Sequence, residues 1–156
     1  GAETKSSSLY CGYGCRDCRW SKTMIGLDTN VLIRYIVRDD DEQAAAATRL
    51  IDSQCTEDAP GFVNLVVLCE VSWVLARGYK YDRATVAQVI RGILSSSELI
   101  VDQSDTAWSA LGRFEAGKAD FADCIIGGHN RSMQAQPTYT FDQCAAENSD
   151  FMLVDV

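Results

Sequence analysis

No apolar run in this sequence is long enough to cross a membrane. The longest, Phe62 to Ala76, is interrupted by Asn64, Glu70 and Ser72, short of the roughly 18 uninterrupted apolar residues a spanning helix requires. Basic residues are also scarce: 14 Lys and Arg stand against 22 Asp and Glu, a formal charge of -8. That balance excludes a protein that coats DNA or a membrane surface by charge alone, so any nucleic-acid contact must be local. The single histidine, His129, excludes a metal site built on several imidazoles. Internal repeats and low-complexity segments are absent.

What is present is enough for one globular domain. Of 156 residues, 47% are hydrophobic, and a chain of this size buries roughly 68–70% of its unfolded surface without disulfides or a structural metal. Seven cysteines is an odd count. Cys55, Cys69, Cys124 and Cys144 sit singly, and Cys69 and Cys124 lie inside apolar runs. They read as small buried hydrophobes in a reducing compartment, which predicts a cytoplasmic protein.

The first stretch differs from the rest. Residues 1–23 show no hydrophobic period and no apolar core of the kind a signal peptide has, and they end before Met24. Cys11, Cys15 and Cys18 offer three zinc ligands where a structural site needs four. We read 1–23 as an extraneous or disordered tail and 24–156 as the domain.

From Met24 onward strands alternate with helices. Ile25-Gly26-Leu27 stops at Asp28, and Val31, Leu32, Tyr35 and Ile36 then recur at helical spacing. Asp39-Asp40-Asp41-Glu42 loads negative charge on the start of a second helix reaching about Ser53. Pro60-Gly61 breaks the chain, Phe62-Val63 forms a short strand, and Asn64 caps a helix over Leu65–Arg77 that Gly78 ends. Further helices are expected over about Asp82–Ser95, Asp105–Ala116 and Asp120–Met133, with strands at Leu99–Val101, Thr138–Phe141 and Phe151–Val154. The pattern predicts an α/β fold: a single three-layer domain with a central parallel β-sheet flanked by helices.

Ligands of open α/β sheets bind outside the carboxyl ends of the strands. Asp28 and Asp142 fall at such ends, while Glu70, Asp120 and Asp123 lie on helices that can line the same crevice. Glu70 has apolar helical neighbours in Val66, Val67, Trp73 and Val74, so its carboxylate is expected on a buried face. A basic partner, a proton or a shared cation relieves the cost of burying it, and taken alone Glu70 favours the basic partner. Asp28, Asp120 and Asp142 also suit helix N-caps. Five acids on one rim, however, favour a joint role. With one histidine and no ligating cysteine pair in the domain, their donors are all oxygen, which selects Mg²⁺ or Mn²⁺. Carboxylates holding such ions are apparatus for phosphodiester hydrolysis.

Four segments carry a resemblance: Met24-Ile-Gly-Leu-Asp-Thr-Asn-Val-Leu-Ile, Leu68-Cys-Glu-Val-Ser-Trp-Val-Leu, Asp120-Phe-Ala-Asp-Cys-Ile-Ile and Thr140-Phe-Asp. In this order they resemble the acidic motifs of PIN-domain ribonucleases, more narrowly the VapC-type toxins of toxin–antitoxin pairs, over Met24 to Val154. The resemblance implies a metal-dependent endoribonuclease acting on single-stranded RNA, with Mg²⁺ or Mn²⁺ as cofactor, a cognate antitoxin as partner, and a homodimer. It implies that Asp28, Glu70, Asp123 and Asp142 fill the four acidic positions, with Asp120 a further acid and Asn30 and Thr140 supporting polar residues. We assign Asp28, Glu70 and Asp123 as direct ligands, with Asp120 and Asp142 on a second ion or acting through water.

Arg34, Arg38, Arg77, Lys118 and Arg131 are candidate substrate contacts by sequence proximity, each also readable as a surface or ion-pair residue. His129 reads as an exposed helix residue. An aspartyl-phosphate phosphatase needs an acid where Asn30 stands, and a phosphoreceiver domain needs adjacent acids after its first strand. The alternative that keeps the fold is a catalytically silent PIN-type scaffold binding RNA or protein, and the intact acids favour the enzyme.

Overall fold

The computed structural model describes residues 24–155, so the tail read at 1–23 and its three cysteines lie outside the described residues. Strand β1 (Ile25–Gly26) pairs in parallel with β2 (Gly61–Val63), and β2 with β3 (Leu99–Val101). The register sets Ile25, Gly61 and Leu99 side by side. One further bond, from the Leu27 amide to the Phe62 carbonyl at 2.9 Å, carries β1 to the residue before Asp28. Parallel pairing requires crossovers. Helices α1 (Thr29–Val37) and α2 (Asp41–Gln54) make the first, and α3 (Leu65–Trp73) and α4 (Arg83–Ser95) the second.

The chain continues through α5 (Ser104–Ala116), α6 (Phe121–Ser132), β4 (Thr138–Thr140), α7 (Gln143–Ala146) and β5 (Phe151–Leu153). Strands β4 and β5 also pair in parallel, but as a ribbon of their own. The parallel α/β layering expected from sequence is therefore present, with its strands divided three and two rather than bonded into one sheet.

Local chemistry starts the helices where the sequence placed them. Asp40 accepts the Gln43 amide at 2.9 Å, Asn64 that of Val67 at 2.9 Å, and Asp82 that of Thr85 at 2.7 Å, each quenching an otherwise orphaned donor of a first turn. The helix expected over Leu65–Arg77 differs in its second half: after Trp73 it widens into a π-helical turn over Val74–Gly78. Such turns are uncommon and cluster at functional sites.

The core gathers Leu32 from α1, Val63 from β2, Leu68 and Val71 from α3, Leu75, Val86 and Ile90, Leu111 from α5 and Phe121 from α6, all essentially without exposure. Cys55 and Cys124 join it as expected, Cys69 is half-buried, and Cys144, on the polar face of the short α7, is exposed instead.

Glycine at 127 is a packing requirement. A methyl group there would stand 2.7 Å from the Phe151 ring and 2.8 Å from Asp150 Cβ, so its absence lets the chain entering β5 lie against α6. Asp150, 5% exposed, accepts from Arg131 at 2.5 and 2.7 Å and also from Arg113. This pair of arginines on one buried carboxylate ties α5 and α6 to the C-terminal ribbon. Among the described residues no helix is long and apolar enough to cross a membrane.

Candidate active site

Asp28 ends the first strand segment and holds the N-cap backbone position of α1, with φ -86° and ψ 159°. Its side chain makes no capping bond; among the described residues the group on it is the Asn30 amide nitrogen, at 3.4 Å from Oδ2. The carboxylate thus stands exposed at the strand end, with Asn30 beside it.

Glu70 departs from expectation. Its carboxylate is exposed, not buried, and so are Val66 and Trp73, at 76% and 61%. Helix α3 is apolar around nearly its whole circumference, and the core covers only the Val67, Leu68 and Val71 side. The basic partner read for Glu70 is not what holds it. The Thr29 hydroxyl, on a side chain 4% exposed, donates to Glu70 Oε2 at 2.5 Å. That donor is neutral and fixes one oxygen, and among the described residues no basic side chain is paired with Glu70. Thr29, the neighbour of Asp28, was not singled out from sequence; its signal was a hydroxyl at the first helical position, pointing inward.

Asp120 holds the N-cap position of α6, again without a capping bond from its side chain. Its nearest cation is Arg77, at 3.6 Å between two side chains more than 60% exposed. The turn that delivers it is clamped by Arg83, whose guanidinium donates to the carbonyls of Phe114 at 2.7 Å, Lys118 at 2.6 Å and Ala119 at 3.0 Å. Asp142 is the acid for which capping is the observed role: its Oδ1 accepts the Cys144 amide at 2.7 Å and that of Ala145 at 3.3 Å. The Thr140 hydroxyl accepts the Asp142 amide at 3.0 Å.

Asp123 joins these groups. It is half-buried on the first turn of α6, and burial, followed by the charges of Asp120 and Asp142, pushes its carboxyl above the usual range. It also reaches toward α3: the Cys69 thiol, next to Glu70, is pushed up to about 11 by burial and then by Asp123. Thr29, the neighbour of Asp28, bonds Glu70, and the charges of Asp120 and Asp142 bear on Asp123, so the structure relates the five acids in these two groups. Cys124 is likewise raised to about 11, first by burial. Neither thiol is an ionised nucleophile at neutral pH.

The donor set is oxygen throughout, which suits a hard divalent ion such as Mg²⁺ or Mn²⁺. Among the described residues no three acidic, histidine or cysteine side chains stand close enough as placed to hold one ion. The fit is therefore one of donor chemistry and shared repulsion.

The basic candidates divide. Arg34 is bound to Asp39 at 2.6 Å and to Gln43 at 2.7 Å, with Tyr79 completing the group by donating to Asp39 at 2.6 Å. The Tyr79 hydroxyl and Arg34 together hold the Asp39 carboxyl below its ordinary range. Arg131 serves Asp150, and Arg38 donates to Thr48 at 3.2 Å. Arg77 and Lys118 remain near the rim, exposed by 64% and 73%, and Lys118 lies 3.1 Å from Glu147. His129 is half-buried rather than exposed and bonds Gln103 through Nδ1 at 2.8 Å.

An α/β layering with acids at the carboxyl ends of its strands defines a class of protein whose ligands bind outside those ends. The family model for the PIN domain matches residues 25–146, and the chain belongs to that family. PIN domains are in general nucleases acting on RNA, and they commonly use divalent metal ions. No curated protein matches the chain.

Proposed function

We propose that this protein is an endoribonuclease that hydrolyses phosphodiester bonds of single-stranded RNA with Mg²⁺ or Mn²⁺, and that it acts in the cytoplasm as the toxin of a type II toxin–antitoxin pair. The observation that carries the catalytic part is the half-buried Asp123 carboxyl, raised by burial and then by the charges of Asp120 and Asp142, with Arg77 loosely placed beside Asp120 and Glu70 held by the neighbour of Asp28. Such repulsion is relieved by a cation.

Asp28, Glu70 and Asp123 are the direct ligands in this reading. Asp120 and Asp142 act on a second ion or through ordered water. Thr29 holds Glu70 in one orientation, Asn30 steadies Asp28, and Thr140 sets the backbone that presents Asp142. A divalent ion bound there supplies a water of lowered pKa and neutralises charge on the phosphate oxygens.

The toxin role, the cognate antitoxin and a homodimer rest on the resemblance of the four ordered motifs. The test is cleavage of total cellular RNA by purified, antitoxin-free protein with Mn²⁺, with EDTA, and with Asp28→Asn, Glu70→Gln and Asp123→Asn. Discrete fragments with 5′-phosphate and 3′-hydroxyl ends, lost with EDTA and in each variant, are expected. Cyclic-phosphate ends refute the water-attack chemistry, and no cleavage under any metal condition favours a binding scaffold.

A further inference from the structure

The exposed face of α3 carries a feature the carboxylates do not explain. Val66, Glu70, Trp73 and Arg77 follow one another at spacings of four, three and four residues, so they form one stripe along the helix and the π-helical turn that extends it. An indole 61% exposed is an unusual surface group, since burying an aromatic ring is among the largest apolar gains a fold has. Here it stands one turn from Glu70. It also shares a shallow cleft with Arg77 and Asp120, so it borders the acidic rim on the α6 side as well. Arg77 is held only at 3.6 Å by Asp120, both being largely exposed, a pairing weak enough to exchange for a phosphate.

An aromatic face beside a mobile cation is the recurring arrangement for single-stranded nucleic acid, in which a base stacks on the ring and the cation follows the backbone. We infer that Trp73 is the stacking platform for a nucleobase next to the scissile phosphate, and that Arg77 contacts the adjoining phosphate. This rests on the ribonuclease reading and adds where the strand lies: across the exposed face of α3, over Trp73, toward Asp120. An acidic protein gains here an attachment that does not depend on net charge, because every base has a π-face. The other use of such a face, contact with a second copy of this chain, does not call for a cation and a candidate catalytic acid on the same stripe.

The experiment compares wild type, Trp73→Leu, Trp73→Phe and Arg77→Met on a single-stranded RNA oligomer and on the same oligomer with one abasic position moved along it. Leucine keeps the apolar surface and removes the π-face, while phenylalanine keeps a ring. Trp73→Leu is expected to raise KM about 5- to 100-fold with little change in kcat, and Trp73→Phe to recover most of it. On the oligomer lacking the stacked base, Trp73→Leu is expected to add no further loss. Arg77→Met is expected to reduce the salt dependence of binding by about one unit of log–log slope. An equal loss on intact and abasic oligomers, or none on either while wild type cuts RNA, overturns the platform and leaves the nuclease reading standing. A Trp73→Leu protein that changes oligomeric state in sedimentation but cleaves normally assigns the face to a second copy and overturns the platform too. A wild type that neither binds nor cuts RNA removes the reading and the platform together.

Discussion

Thr29→Val separates the site from the fold. The hydroxyl it removes is buried at 4% exposure and donates to Glu70 Oε2 at 2.5 Å, while valine keeps the β-branched shape at the first position of α1. A hydrogen bond to a charged acceptor contributes about 1.5–3 kcal/mol. That value applies in full only where the acceptor has no substitute partner, and the Glu70 carboxylate is exposed, so water replaces the lost donor. Stability should therefore change by less than about 1 kcal/mol, a few degrees in Tm for a domain of this size. Orientation is another matter, because water does not fix a rotamer. Partners that orient metal ligands typically account for 10–100-fold in metal affinity or activity, and that loss is expected here. The assay is the initial rate of RNA cleavage across a Mn²⁺ titration, run beside a thermal melt, with Thr29→Ser as the control that keeps the donor. A valine variant with the wild-type Mn²⁺ requirement and rate, or one whose activity falls only in step with its stability, refutes the assignment of Thr29 as a positioning residue.

Asp123→Asn should abolish cleavage yet stabilise the fold at neutral pH. Its carboxyl is raised by burial first and then by Asp120 and Asp142, so the native state disfavours the charged form; its favourable contribution is complete below the unfolded value of about 3.9 and is lost as pH rises through the folded one. Urea midpoints at pH 7 and pH 4 should show an excess for the variant that closes on acidification, and equal or lower stability at pH 7 contradicts the repulsive rim. Asp150→Ala leaves two arginines facing each other without their shared carboxylate; because each is about a third exposed, the loss should fall near 3 kcal/mol, the low end for a broken buried pair, or about 10 °C in Tm. A drop under about 3 °C refutes it.

What sequence made legible was local. Asp40, Asn64 and Asp82 cap their helices through bonds three residues long, and the acids at strand ends follow from where the apolar runs stop. The buried face of Glu70 was misjudged because Val66, Val67, Trp73 and Val74 surround α3 with apolar side chains. Periodicity names a buried side only when another side is polar. The groups that place the site were hidden for a different reason. Thr29 reaches Glu70 across 41 residues, Arg83 reaches Ala119 across 36, and Arg113 reaches Asp150 across 37. Arg83 and Arg113 belong to no motif, and Thr29, though inside the first motif, acts through Glu70 rather than by itself. The π-helical turn after Trp73 is likewise set by packing, because nothing between Val74 and Gly78 forbids an ordinary helix.

The charge balance then explains the division of labour among the basic residues. Arg34, Arg91, Arg113 and Arg131 lie within ion-pair distance of acids, and Arg83 spends its donors on backbone carbonyls that shape the turn before Asp120. These five cations thus serve the fold, which leaves fewer to meet a polyanion. Two arrangements follow from that shortage. Among the described residues Arg77, loosely placed beside Asp120, is the counter-charge these acids have, an arrangement that suits a divalent ion. Grip on a strand must come from contacts that net charge does not weaken, and the exposed indole of Trp73, which shares a cleft with Arg77 and Asp120, is placed to provide it. A charge of -8, an obstacle for a protein that binds nucleic acid along its length, is compatible with one that engages a few nucleotides, cuts and releases them.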